Sequence, residues 1–135
     1  MTIQKENNSF MEYFDFLEIA QEILKKAPKE LFNKMIYLII NKFRNKEIEL
    51  EKLSLDIDKM SSMPFDDLDE FYDSILDEIE NVTLFKKKIE LLKDKEPMFN
   101  ELYNQTDRLL SSLINYMDRV GQLEVRILKD KEISA

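Results

Sequence analysis

The sequence contains no cysteine, histidine or tryptophan, one glycine and three prolines among 135 residues. Without cysteine or histidine, the chain cannot form a disulfide, a Ser-His or Cys-His catalytic pair, or a typical zinc, haem or iron–sulfur site. We therefore predict no catalytic residues, no metal ligands and no cofactor. The scarcity of glycine and proline leaves long stretches without a helix breaker, which favours helices.

Long apolar runs are also missing. The longest covers six residues, 35–40, whereas a membrane-spanning helix needs about 20. Residues 1–8 are polar and lack the basic and then apolar order of a signal peptide. We therefore expect a cytoplasmic protein with no membrane partner.

The charge of the chain is concentrated in one segment. There are 28 acidic and 20 basic side chains, for a formal net charge of −8. Residues 66–80 hold eight of the acids and no base, so the remainder of the chain is neutral. Any functional interpretation of the acidity therefore concerns this segment, which we call the acidic segment.

Four helices are predicted from breakers and capping signals. Ser9 and Glu12 have the spacing of a capping box, which predicts a first helix over about 10–26. A second is expected over 28–60, a third from about Phe65, and a fourth over about 98–128, after Pro97.

The last three predicted helices carry apolar seams. Their apolar residues recur at alternating spacings of three and four residues, which is typical of coiled-coil packing. Lys46 is the polar member of the first seam, and the second seam slips in phase between Val82 and Phe85. The seams comprise Phe32, Ile36, Ile39, Phe43, Lys46, Leu50, Leu53, Ile57 and Met60; Phe65, Leu68, Tyr72, Ile75, Ile79, Val82, Phe85, Ile89 and Leu92; and Phe99, Leu102, Thr106, Leu109, Leu113, Tyr116, Val120, Leu123 and Ile127.

These elements predict an all-α fold, an elongated antiparallel, up-down bundle of about four helices with coiled-coil-like seams. The domain spans 9–130, with a disordered N-terminus over 1–8 and a frayed C-terminus over 131–135. Because the first helix is shorter than the others, it leaves apolar seam uncovered. We therefore expect a homodimer that completes the bundle.

The acidic segment has three interpretations. It is a solvated helix face whose charge complements the helix dipole, a register device between two antiparallel copies, or a docking surface for a basic protein partner. The candidate partner-binding residues are acids of this segment and two aromatic residues of the first helix: Asp66, Asp69, Glu70, Asp73, Asp77, Glu80, Tyr13 and Phe16.

Two other functions fit the acids. They could imitate a nucleic-acid backbone and inhibit a nucleic-acid-binding protein. Alternatively, the i, i+3 pairs Asp15/Glu18, Glu70/Asp73 and Asp77/Glu80 have the spacing of the carboxylates in all-α, Mg²⁺-dependent nucleotide pyrophosphohydrolases, although the order of pairs differs.

The sequence favours a non-enzymatic protein–protein interaction module, acting as an adaptor, a chaperone-like protein or an inhibitor. It would bind its partner through a helix face, with the acidic segment providing specificity. Direct nucleic-acid binding is not expected, because the basic run 86–88 lies on an acidic chain.

Overall fold

The structure, a computed structural model, describes residues 28–134, with side chains from 28 to 131. They form α1 (Lys29–Leu55), the 3₁₀ helix η1 (Ile57–Ser62), α2 (Phe65–Glu90) and α3 (Pro97–Ser134). This part of the chain contains no strand, which confirms the all-α prediction. The predicted helix over 10–26, with Tyr13 and Phe16, and the predicted disorder over 1–8 lie outside the described residues.

α3 is the central element, since it packs against both α1 and α2. Edge-to-face aromatic pairs join the helices: Phe32 and Phe99 have ring centroids 5.2 Å apart, and Phe43 and Phe85 5.4 Å. Nearly all of the predicted seam positions are buried or half-buried, and Phe85 and Val82 are both buried on either side of the phase slip. The seams therefore form one core shared by the three helices.

α1 ends earlier than expected, at Leu55 rather than near residue 60. The chain tightens there into η1, where the Ser61 hydroxyl donates to the Asp58 carbonyl. Arg119 of α3 donates to the carbonyl of Ser54 at 3.1 Å, which satisfies an acceptor in the last turn of α1. Met63 is extended, as expected for the residue before Pro64.

The other helix boundaries follow from proline. α2 begins at Phe65 after Pro64, with no side-chain hydrogen bond at its N-cap. α3 begins at Pro97, in the position where a missing N–H costs nothing. It runs through Ser134, beyond the predicted end near residue 128; the fraying of 131–135 stays a prediction.

Gly121 lies within α3, where glycine destabilises a helix by about 1 kcal/mol relative to alanine. A Cβ atom at this position would lie 3.2 Å from Cε2 of Tyr72 on α2. The tyrosine ring therefore packs directly on the backbone of α3, and the glycine permits this close approach.

None of the helices formed by the described residues has an apolar stretch long enough to cross a bilayer.

Candidate functional site

A groove of about 410 Å³ opens between α1 and α2, above α3. We call it the α1–α2 groove. Its floor is apolar and its walls are polar. The floor consists of Leu50, Leu53, Phe71, Ile75, Leu113 and Tyr116, and the walls of Lys46, Glu49, Asp67, Glu70, Ser74 and Glu78.

The floor consists largely of seam residues. Leu50, Ile75, Leu113 and Tyr116 are almost fully buried. Leu53 is a seam member of α1 but remains 41% exposed, because α1 and α2 do not close over it. Apolar surface therefore lies open at a point where the seam pattern predicts a closed core.

The walls carry four carboxylates against one ammonium group. Glu78 and Lys46 form an ion pair at 3.9 Å, with side chains only 12% and 29% exposed. The Lys46 position in the apolar seam is therefore explained by this partner across the groove. Among the described residues, Glu49, Asp67 and Glu70 form no ion pair, which leaves the groove with an excess of negative charge.

Tyr116 places a phenol in the floor. Its ring packs edge-to-face against Phe71, with centroids 5.9 Å apart, and its hydroxyl donates to the sulfur of Met60 at 3.5 Å. Thioether sulfur is a weak acceptor. Burial raises the pKa of the Tyr116 phenol, and the charge of Glu49 raises it further, so the hydroxyl remains a donor.

The acidic segment is divided between different surroundings. Of the six candidate acids, Glu70 lines the groove, and Asp69 and Asp73 lie near Glu124 of α3. The other three are exposed and do not line the groove: Asp66, Asp77 and Glu80. The sequence analysis did not select Glu49, Asp67 or Tyr116. The signal that could have indicated the groove was the polar Lys46 within an apolar seam.

Glu124 lies in a second acidic environment, on the far side of α2. Its Oε1 atom is buried and accepts no hydrogen bond from any described residue. Burial raises the pKa of the Glu124 carboxyl, and the neighbouring carboxylates of Asp69 and Asp73 raise it further. A protonated Glu124 can donate to Asp69, whereas an ionised one repels it.

We predict that Glu124→Gln stabilises the protein at neutral pH by roughly 0.5 kcal/mol, the scale of a like-charge contact on a helix surface. A carboxyl whose pKa is higher in the folded state than its usual 4.5 stabilises the fold below pH 4.5. That contribution is lost as the pH rises through the folded-state value. The advantage of glutamine should therefore grow with pH over this window.

Urea unfolding at a series of pH values measures this difference. Glu101→Gln, which removes an exposed carboxylate elsewhere on α3, serves as the control. A destabilised variant at neutral pH, or a difference that does not depend on pH, would contradict the prediction.

The described residues give no support to the two alternative functions, and the Asp15/Glu18 pair lies outside them. In residues 28–131, no three carboxylates lie close enough together to hold a metal ion. The acids of the acidic segment do not form one free row, because Glu78 is paired with Lys46 and Asp69 is next to Glu124.

Comparison with known proteins gives no family for this arrangement. No protein family, no curated protein and no solved structure matches the chain.

Proposed function

We propose that this protein is a non-enzymatic interaction module that binds another protein through the α1–α2 groove. It would serve as an adaptor, a chaperone-like protein or an inhibitor. The observation that supports this function is the combination of an open apolar floor with carboxylate walls. Such a surface resembles a binding hot spot, where apolar anchors sit in a pocket surrounded by a polar rim.

Affinity would come from the floor. The half-buried Phe71 provides aromatic surface, and the exposed part of Leu53 provides aliphatic surface. Burial of apolar surface contributes about 25 cal/mol per Å². A partner side chain that covers these residues would therefore gain free energy without any rearrangement of the helices.

Specificity would come from the carboxylates, which act over different distances. Glu49, Asp67 and Glu70 border the floor and would contact a bound partner directly. The exposed acids outside the groove, such as Asp77 and Glu80, would act at a distance. Because charges are screened over about 8 Å at physiological ionic strength, these outer acids would mainly increase the association rate at low salt.

A pair of charge reversals tests this function. The groove variant, Glu49→Lys with Glu70→Lys, changes one carboxylate on each wall. The outer variant, Asp77→Lys with Glu80→Lys, makes an equal change in net charge at two positions outside the groove. All four side chains are exposed, so both variants should unfold within about 1 kcal/mol of the parent.

We predict that tagged parent and outer variant capture the same protein from a lysate of the source organism, and that the groove variant loses it. The dissociation constant should rise by at least about tenfold, or 1.4 kcal/mol. Mass spectrometry and subsequent titration measure the effect. Equal losses in both variants would mean that net charge, and not the groove, governs binding.

We also propose an up-down order of helices and self-association into a homodimer. The helix order is supported by contacts at the two ends of α2: Lys131 lies over the ring of Phe65, whereas Lys86 pairs with Asp107. Self-association is supported by large exposed apolar side chains, including Leu55 at 80% and Leu91 at 79%. A second copy that covered such side chains would gain about 25 cal/mol per Å² of buried apolar surface.

Light scattering should therefore give the mass of a dimer at tens of micromolar protein. Leu55→Lys places a charge on an exposed apolar position and should reduce the dimer fraction. Lys59→Ala, near the same end of the bundle, is the control and should leave it unchanged. A monomer of the parent chain at that concentration would contradict the dimer but would leave the groove function untouched.

A further inference from the structure

We infer that the α1–α2 groove binds an amphipathic α-helix whose apolar stripe is flanked on both sides by lysine or arginine. This inference rests on the proposed function and specifies the chemistry of the partner. It follows from the positions of the carboxylates, the length of the groove and the composition of its floor.

The carboxylates lie on both walls. Glu49 projects from α1, and Asp67 and Glu70 from α2, with the apolar floor between them. None of the three forms an ion pair among the described residues. A complementary ligand therefore needs positive charge on both sides of a central apolar stripe. A basic amphipathic helix presents this pattern.

The length of the groove fits a short helix. Asp67 and Glu78 mark its two ends on α2 and are separated by about 16 Å, given a rise of 1.5 Å per residue. A helix of three turns covers this distance and places side chains at i, i+3 or i+4, and i+7 on the floor. The Lys46–Glu78 ion pair closes one end.

The floor favours an apolar anchor. Phe71 and Leu53 offer only carbon atoms, and the Tyr116 hydroxyl already donates to the sulfur of Met60. An aliphatic or aromatic side chain gains contact there, whereas a buried charge would lack a hydrogen-bonding partner.

A second copy of this chain is a poorer occupant, because two of the five lysines of the 86–95 region already have partners and acids interrupt the others. Lys86 forms a 2.6 Å ion pair with Asp107. Lys93 lies over the ring of Tyr103, 4.7 Å from its centroid. This region is therefore not a continuous free basic stripe, and we expect a partner of different sequence.

Three synthetic peptides of about 16 residues test the inference. The first has a leucine stripe flanked by lysines, the second has the same stripe flanked by glutamates, and the third is the lysine peptide with a central proline. Fluorescence anisotropy at physiological salt measures their binding to the full chain and to the groove and outer variants.

We expect the lysine peptide to bind the parent chain at least about tenfold more tightly than either of the other two. The groove variant should lose about tenfold in affinity for it, and the outer variant less than about threefold. Equal binding of the proline peptide would overturn the helical mode, and equal losses in both variants would overturn the site.

The same variants separate this inference from the proposed function. If no peptide binds while capture of the cellular partner still depends on the groove, the partner is not a basic helix but the function stands. If neither peptide binding nor capture depends on the groove, both proposals are wrong.

Discussion

Replacing Phe99 with alanine is expected to lower the free energy of unfolding by about 3–5 kcal/mol, the usual cost of deleting a buried aromatic ring. Phe99 is fully buried near the start of α3, where its ring packs edge-to-face against Phe32 of α1 at 5.2 Å. The truncation removes this contact and leaves a cavity between two helices. A domain is typically stable by only 5–15 kcal/mol, so the loss is a large fraction of the total.

Urea denaturation followed by circular dichroism measures this change. Asn104→Ala, at an exposed position of the same helix, is the matched control and should alter stability by less than about 0.5 kcal/mol. A loss below about 1 kcal/mol for Phe99→Ala would mean that α1 does not pack against α3 at this end.

Ser74→Phe should abolish most binding to the protein partner, with at least a tenfold increase in dissociation constant, or about 1.4 kcal/mol. Ser74 lies midway along the α2 wall of the groove, where its hydroxyl donates to the Phe71 carbonyl. A benzyl group at this position would occupy the space above the floor. Serine and phenylalanine have similar helix propensities, so α2 itself should persist.

The control is Ser111→Phe, which adds the same group at an exposed position of α3 outside the groove. Binding is measured by titration of the captured partner and of the lysine peptide, and folding by thermal unfolding. A folded Ser74→Phe protein with undiminished affinity would show that the partner binds elsewhere.

Much of the helical framework could be predicted from the sequence, because apolar spacing fixes which face of each helix is buried. The phase slip between Val82 and Phe85 shows how far this reasoning extends, since both residues are buried as the shifted pattern requires. The pattern is local and depends only on helical geometry.

The boundaries were less predictable. The apolar spacing continues through Ile57 and Met60, yet α1 ends at Leu55, because these residues pack from a 3₁₀ helix. The Ser54 carbonyl in the last turn of α1 accepts from Arg119 of α3, and no local pattern contains this contact.

The groove could not be predicted, because it depends on how far apart α1 and α2 lie above α3. The sequence shows the acidic segment as one continuous unit. In a helix, however, successive residues lie on different faces, so Glu70 lines the groove whereas Asp69 lies near Glu124. Glu49 contributes from another helix altogether. A single sequence carries little information about the distance between two helices in the folded protein.

The large sequence separation between α1 and α3 has a consequence for the order of folding. Lys86 and Asp107, which join α2 to α3, are 21 residues apart, whereas the contacts Arg119–Ser54 and Arg126–Asp58 span 65 and 68 residues. Contacts between near neighbours in sequence form faster. We expect the α2–α3 pair to form first and α1, although synthesised earlier, to dock last. Because α1 forms one wall of the groove, the groove is complete only after this final step. The protein can therefore bind its partner only once folding is complete.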